Sequence, residues 1–414
     1  MPFVLYLLGL AVFAQGMSEF MLSGLIPDIA RDLDVSIPAA ASLTSAFAVG
    51  MVVGAPMMAL LGRRWSRRNA LFVLLLVFLL VHVAGALTTS YPLLLATRVI
   101  AALANAGFLA VALSTAVALA PPGATGRATS VLLGGITLSC VVGVPGGALL
   151  GQLWGWRSAF WAVALLSAPA LVAILRWVPA GGGGGPAVTG VRGELTALGR
   201  PRPLTLLLLG SLVNGATFCA FTYLAPLVTE VAGLGGGWVP AVLALFGAGA
   251  FAGVSVGGRL ADRYGVRPLL GCGAALLAGW ALLTAGAGHT AALLVLAPVQ
   301  GALSFAVGSA LISRVLYEAQ GAPALGGASA TAAFNVGAAL GPWLGGTAIG
   351  AGLGYRGPVG VSALLSAVAL VIAAVALVRA RSGVRGDAGE TAGRSWGPSS
   401  DDAPGRSSSA TPRP

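Results

Sequence analysis

The chain contains no lysine: all 23 of its basic residues are arginines. That absence removes the phosphate-gripping lysine of a P-loop and any lysine Schiff base, so ATP hydrolysis by that route and imine chemistry are excluded. Charge of either sign is scarce, at 8% of 414 residues, where soluble domains carry roughly a quarter. Cysteine occurs only three times. Cys140, Cys219 and Cys272 all fall in apolar stretches without metal-ligand spacing, so they read as packing residues, and no metal or other cofactor is expected. Of the two histidines, His82 lies in an apolar stretch and reads as a packed core residue, and His289 lies in a short loop. No nucleophile and base stand in a catalytic pattern, so the chain is not expected to be an enzyme. Gly247-Ala-Gly249-Ala-Phe-Ala252 imitates a dinucleotide-binding loop, but it sits inside an apolar run with no strand before it.

What the chain has instead is apolar length. Hydrophobic residues make up 57%, arranged in repeated runs of about 20 residues, the thickness of a bilayer core. The expected fold is an all-α polytopic membrane protein with twelve transmembrane helices in two pseudo-symmetric halves. The first six spans are read near 3–26, 39–61, 70–88, 92–119, 127–151 and 156–178, and the second six near 203–229, 238–258, 268–287, 290–316, 326–350 and 356–379. The opening run starts without a preceding basic residue or a small-residue cleavage site, and reads as a retained span. Residues 1–178 then form an N-terminal six-helix bundle and 203–379 a C-terminal one. Residues 179–202, with Gly181 to Gly185, form a cytoplasmic linker, and 380–414 a disordered cytoplasmic tail.

Two features repeat at an offset of 199 residues. Gly258-Arg-Leu-Ala-Asp-Arg-Tyr-Gly-Val-Arg267 has a weaker earlier copy, in which Arg63 stands for Asp262, Arg64 for Arg263 and Arg68 for Arg267. The same offset carries Gly155-Trp156-Arg157 onto Gly354-Tyr355-Arg356. Such repetition in an apolar chain indicates duplicated membrane halves and makes a transporter the first expectation. The two charged loops, with Arg63, Arg64, Arg68, Gly258, Arg259, Asp262, Arg263, Gly265 and Arg267, are candidate conformational switches. Asp262 adds nothing to cytoplasmic retention, and its place between two arginines suits salt links between helices. With the N-terminus inside, only Arg31, Arg157 and Arg356 fall on the outer side and Arg98 within a span, leaving 19 of the 23 arginines cytoplasmic. The bias places both termini in the cytoplasm of a bacterial inner membrane. The net charge of +11 is therefore a topology and lipid-headgroup signal, and neither nucleic acid nor ATP is an expected partner.

Candidate transport residues are the few polar groups inside spans. Glu19 is the one carboxylate placed well within a span, and Gln15 and Ser23 share its helical face. Helical rise puts Arg98 about 9 Å and Glu19 about 10 Å below the outer surface, so the two are expected to pair. Arginine at a helix centre costs about 2.5–3.5 kcal/mol on insertion scales, so its presence needs a role. Proton coupling is one, and a structural ion pair is the other. Gly143, Pro145 and Gly147 in span 5 match Gly341 and Pro342 in span 11 as candidate gating hinges. Gln15, Asn105, Asn214, Phe218, Phe221, Thr222, Gln300, Ser304 and Asn335 are candidates to line a central substrate cavity. With so few charges there, a small neutral drug-like substrate is favoured over an anion.

These residues resemble the major facilitator superfamily, and within it the twelve-span drug:proton antiporters. Gly258–Arg267 is similar to the superfamily's loop signature, Arg98 to the arginine of its fourth-span signature, and Gly143-Val-Pro-Gly-Gly147 to its fifth-span antiporter signature. Gly16-Met-Ser-Glu-Phe20 through Asp28 resembles bacterial exporters of drugs, sugars and nucleosides. Ala101–Ala110, Gln300–Ala306 and Arg314–Ala319 resemble actinobacterial chloramphenicol-resistance exporters. The resemblance implies a monomeric antiporter that expels chloramphenicol or related phenicols against protons by alternating access, conferring antibiotic resistance. The chain departs from those patterns at Arg63 and Ser66, where the loop signature has an acid and a glycine, and at Ala101 and Ala102 after Arg98. Span 10 has Gln300-Gly301 without an arginine. A sugar or nucleoside exporter of the same fold is the alternative, and a non-transporting membrane sensor is a further one.

Overall fold

A computed structural model of the chain describes residues 2–61, 65–121, 125–179, 196, 198–264, 267–318 and 325–393. Among these residues the secondary structure is helical. In chain order the helices are α1 (Phe3–Phe20), α2 (Ile26–Asp32), α3 (Ile37–Leu61), α4 (Arg67–Leu87), α5 (Tyr91–Leu119), α6 (Thr125–Leu138), α7 (Val144–Trp154) and α8 (Arg157–Trp177). There follow α9 (Pro201–Thr222), α10 (Trp238–Tyr264), α11 (Arg267–Gly286), α12 (Thr290–Glu318), α13 (Leu325–Ala348) and α14 (Gly357–Gly393). Long apolar segments close their backbone hydrogen bonds within themselves, the arrangement that hydrocarbon surroundings demand.

Eleven helical stretches among the described residues are long and apolar enough to cross a membrane, the last being the 54 residues Gly326–Arg379. A continuous helix of that length would extend about 81 Å, more than twice a bilayer core. It is in fact two helices. A π turn at Ile349–Leu353 and a short 3-10 turn at Gly354–Arg356 divide it, with Gly352 at φ 86° and Gly354 at φ 60°. Twelve crossings result, as the apolar runs predict. The last helix runs to Gly393. Residues 394–414 lie outside the described residues, as do 180–195 and 197 of the linker.

The described residues up to Ala373 form one compact unit, and those from Ala374 to Gly393 a second. Within the first, buried apolar side chains form two clusters. One is drawn from residues between Val4 and Val178 together with Tyr223. The other is drawn from residues between Leu209 and Ala369, and it incorporates Phe20, Ala48, Val144 and Ala148 from the first half. Large apolar side chains such as Leu165, Val172 and Val371 lie exposed on the outside, the pattern of a surface that faces lipid.

The 199-residue repeat is visible in the backbone. Gly155 has φ 79° and its counterpart Gly354 has φ 60°, a left-handed conformation that only glycine adopts cheaply. Each starts the turn that leads into the sixth helix of its half. The arginine two residues on then reaches back to the end of the third helix: Arg157 donates to the Thr88 carbonyl at 3.0 Å, and Arg356 to the Ala285 carbonyl at 3.4 Å.

Among the described residues, the hydrogen bonds between the halves lie toward the end away from the N-terminus. Gln152 donates to the Gly236 carbonyl at 2.6 Å, and Ser45 donates to the Ala339 carbonyl at 2.7 Å. Gly346 packs on Pro38, and Gly24 on Leu243. At mid-depth, Gly247 of α10 rests directly on the Cys140 carbonyl. The glycine pattern that imitates a dinucleotide loop is thus a helix-packing face: Gly249 lies equally close to the Pro298 carbonyl of α12.

Candidate functional site

Span 5 is interrupted by a π turn at Ser139–Gly143, directly before Val144-Pro145. Proline lacks an N–H and its ring crowds the carbonyl one turn back, so the wider turn absorbs the misfit. The turn sets Gly143 and Gly147 against α1 and the 3-10 turn that follows it. A methyl group at Gly143 would lie 3.1 Å from the Met17 Cβ, and one at Gly147 2.9 Å from the Met21 Cβ. The matching pair in the other half packs α13 onto α9, where a methyl on Gly341 would run into the Gly215 carbonyl. Pro342 offers its carbonyl to the Tyr223 hydroxyl at 2.8 Å. The candidate hinge glycines therefore stand at close helix crossings.

Beside this crossing lies a small cavity of about 10 Å³ between the halves, room for about one water molecule. Phe20, Cys140 and Val144 line it from the first half, and Thr217, Phe218, Phe221, Phe246 and Phe305 are among its lining residues from the second. The rings form a continuous wall, with centroids 5.8 Å apart for Phe20–Phe218, 6.3 Å for Phe218–Phe221 and 4.9 Å for Phe221–Phe246. No charged side chain lines it. Such a surface can pack against a neutral ring and offers nothing to neutralise an ion.

Of the candidate cavity residues, Phe218 and Phe221 reach this wall, and the polar ones are placed elsewhere. Asn214 donates to the Phe334 carbonyl at 2.7 Å, and Gln300 to the Leu276 carbonyl at 3.1 Å. Asn335 turns back to the Thr331 carbonyl of its own helix at 3.0 Å, and Asn105 points its amide at the Met51 sulfur, 3.7 Å away. Thr222 and Ser304 are buried, and their hydroxyls have no hydrogen-bond partner among the described residues; the same holds for both ends of the Gln15 amide. Phe20, Phe246 and Phe305 were missed by sequence reasoning, because a phenylalanine in an all-apolar helix carries no sign of which face is lined.

The charged pair is arranged differently from expectation. Arg98 is 1% exposed, and it donates from one guanidinium nitrogen to Ser18 Oγ at 2.8 Å and from another to the Ser18 carbonyl at 2.6 Å. It does not bond Glu19, which accepts no hydrogen bond from any described residue. The reason is angular: neighbouring residues on a helix point about 100° apart. Ser18 takes the face toward α4 and α5, so Glu19 is turned off it and is only half-buried. The guanidinium also lies over the Phe47 ring at 4.6 Å and the Phe160 ring at 6.0 Å.

A third member of this cluster is His82. Its Nε2 is 2.6 Å from Ser18 Oγ, and its Nδ1 is 2.7 Å from the Phe78 carbonyl. It is not the merely packed histidine of the sequence reading. The depth argument that aligned Glu19 with Arg98 would have found it, since His82 lies five residues from the end of its helix at Leu87.

At the end where the halves meet, Arg157 pairs with Asp32, and Trp156 donates to the same carboxylate at 3.1 Å. The Arg157 hydrogen bond holds the Asp32 carboxyl below its usual range. Its contribution to stability is therefore complete above the ordinary carboxylate range and is lost only as pH falls through that lowered value.

Of the candidate switch loops, Arg63, Arg64 and Gly265 lie outside the described residues. Gly258, Arg259, Asp262 and Arg263 fall on the last turns of α10, Arg267 starts α11 and Arg68 lies in the first turn of α4.

The sequence profile described as Major Facilitator Superfamily matches residues 8–311 and 237–401. A protein of Streptomyces lividans named chloramphenicol resistance protein is 56% identical over 375 residues, 90% of this chain and 96% of the relative. The inner membrane transport protein YdhP of Escherichia coli K12 is 36% identical over 365 residues, 88% of this chain and 93% of the relative. Among solved structures, a bacterial homolog of the human lysosomal transporter Spinster superposes with a TM-score of 0.72 at 18% identity, covering 90% of this chain and 95% of its own.

Proposed function

The chain belongs to the Major Facilitator Superfamily, and from that membership we propose that it is a proton-coupled exporter of chloramphenicol or a related neutral phenicol. It is a multi-pass membrane transporter and not an enzyme. The observation that carries the substrate reading is the phenylalanine wall between the halves, whose chemistry suits an uncharged aromatic molecule once the halves part around it. The resistance protein that is 56% identical supports the same reading. In it, the bundles 1–178 and 203–379 rock about the mid-depth crossing of α10 on span 5, with both termini in the cytoplasm and the joined end facing outward. The protein acts as a monomer in the bacterial inner membrane.

Glu19 is the proton carrier, with Arg98 controlling its surroundings. Glu19 directly precedes Phe20, which lines the cavity, so proton and drug occupancy sense each other through adjacent residues of one helix. If one proton enters per neutral drug, the cycle moves net charge. A potential of 100 mV then contributes about 2.3 kcal/mol, close to fifty-fold accumulation.

The test is chloramphenicol accumulation in a susceptible host that expresses the chain, with and without an uncoupler. The expected result is low accumulation that rises to the empty-vector level when the uncoupler is added. Glu19→Gln should raise it without the uncoupler while protein abundance stays constant. Accumulation equal to empty vector throughout removes the substrate, and undiminished coupling in Glu19→Gln removes the carrier.

A further inference from the structure

Four groups form one directed hydrogen-bond chain through α5, α1 and α4, and its chemistry allows a single arrangement of hydrogens. A guanidinium only donates, so Ser18 Oγ accepts from Arg98. The Phe78 carbonyl only accepts, so the proton of a neutral His82 ring sits on Nδ1. Nε2 is then an acceptor, and the Ser18 hydroxyl hydrogen has one destination, the His82 ring 2.6 Å away. Arg98, Ser18, His82 and the Phe78 carbonyl thus run donor to acceptor in that order. Such chains reinforce one another where water is excluded.

Without His82, the Ser18 hydroxyl would be free to turn toward a carbonyl of its own helix, as helical serines do. With His82, its lone pair is held toward Arg98. The ring is itself clamped, with its centroid 4.2 Å from Phe78 and 5.8 Å from Phe160. Phe160 also borders the Arg98 guanidinium. Other titratable groups around the chain are few. Glu19 lies on α1 and Cys140 on the π turn beside it. Arg157 with Asp32 and Tyr91 with Ser42 stand at the ends of α8, α2, α5 and α3 where the halves meet. The remaining arginines of α4, α6 and α8, namely Arg67, Arg68, Arg127 and Arg176, are at the opposite ends.

We propose that His82 is a positioning residue for proton coupling: it locks Ser18 as the acceptor for Arg98 and so keeps the guanidinium parked one residue away from Glu19. The proposal rests on the reading of Glu19 as the proton carrier. A parked arginine leaves the carboxylate free to take a proton, and a released one stabilises the carboxylate in its charged form. His82 therefore sets the pH at which the carrier loads.

The experiment is the pH profile of chloramphenicol-driven proton release by the purified full chain in liposomes, for wild type, His82→Leu, His82→Gln and Ser18→Ala. Leucine cannot accept from Ser18, and glutamine can. His82→Leu and Ser18→Ala should move the midpoint to more acid pH by about one unit, the effect of one neighbouring opposite charge. His82→Gln should restore most of the wild-type midpoint. A wild-type midpoint in both His82→Leu and Ser18→Ala overturns the proposal. So does an equal shift in His82→Gln, which would mark a loss of packing. If His82→Leu does not accumulate in the membrane, Ser18→Ala and His82→Gln decide the question between them. Absence of proton release from wild type would instead remove the coupling reading itself, and this proposal with it.

Discussion

Arg98 uses two guanidinium nitrogens on the hydroxyl and the carbonyl of one residue, and that geometry separates arginine from lysine at this position. An ammonium on a flexible stem keeps the charge but lacks the planar fork that holds both acceptors. Hydrogen bonds to charged groups are worth about 1.5–3 kcal/mol, so Arg98→Lys should lower the efflux rate at least about tenfold with membrane abundance unchanged. Drug accumulation normalised to an immunoblot checks it, and wild-type efflux in Arg98→Lys would mean that charge alone suffices. Part of this cluster was legible beforehand. Scarcity of charge pointed to Glu19 and Arg98, and helical rise put them at one depth. Their pairing was not legible, because depth along an axis says nothing of the angle about it, and 100° of rotation gives the arginine to Ser18. His82 escaped because histidine in an apolar run is ordinarily a core residue, and the hydroxyl that donates to its Nε2 comes from Ser18 of another helix.

Helix packing carries a similar lesson about glycine. In α7, Gly146 and Gly147 are adjacent in sequence, yet a methyl on Gly147 would lie 2.9 Å from the Met21 Cβ while one on Gly146 would meet nothing within 4 Å. Overpacking a tight crossing costs about 1–3 kcal/mol. Gly147→Val is therefore expected to lower the melting temperature in detergent and abolish efflux, and Gly146→Val to leave both near wild type. Equal behaviour of the two variants would show that this crossing is looser than it stands. Apolar run length predicted every crossing, since a bilayer demands about 20 apolar residues wherever they come from. It could not show the π turn at Ser139–Gly143, which arises from the conflict between Pro145 and the carbonyl one turn behind it.

For the molecule as a whole, the hydrogen bonds that join the halves among the described residues lie toward one end. Transport by rocking requires that end to part, so a covalent link there should stop the cycle. With Cys140, Cys219 and Cys272 replaced by alanine, cysteines at Gln152 and Gly236 would be bridged by a short methanethiosulfonate cross-linker, since the native side chain and carbonyl are already 2.6 Å apart. Efflux should fall to background on cross-linking and return when a reductant is added; continued efflux in the linked protein would exclude opening at this end.

Aligned at the 199-residue offset, Gln15 stands with Asn214, Gly16 with Gly215 and Ser18 with Thr217. The likeness stops at the charged cluster. Glu19 stands with Phe218, His82 with Ala281 and Arg98 with Ala297. Two copies of one ancestral unit have thus divided the labour, the first holding the ionisable groups and the second supplying most of the ring-lined wall. Heredity then acts on them separately. On the proposed reading, a lineage that meets a new drug can reshape Phe218, Phe221, Phe246 or Phe305, one apolar side chain at a time, and inherit the proton-coupling groups of the first half unaltered.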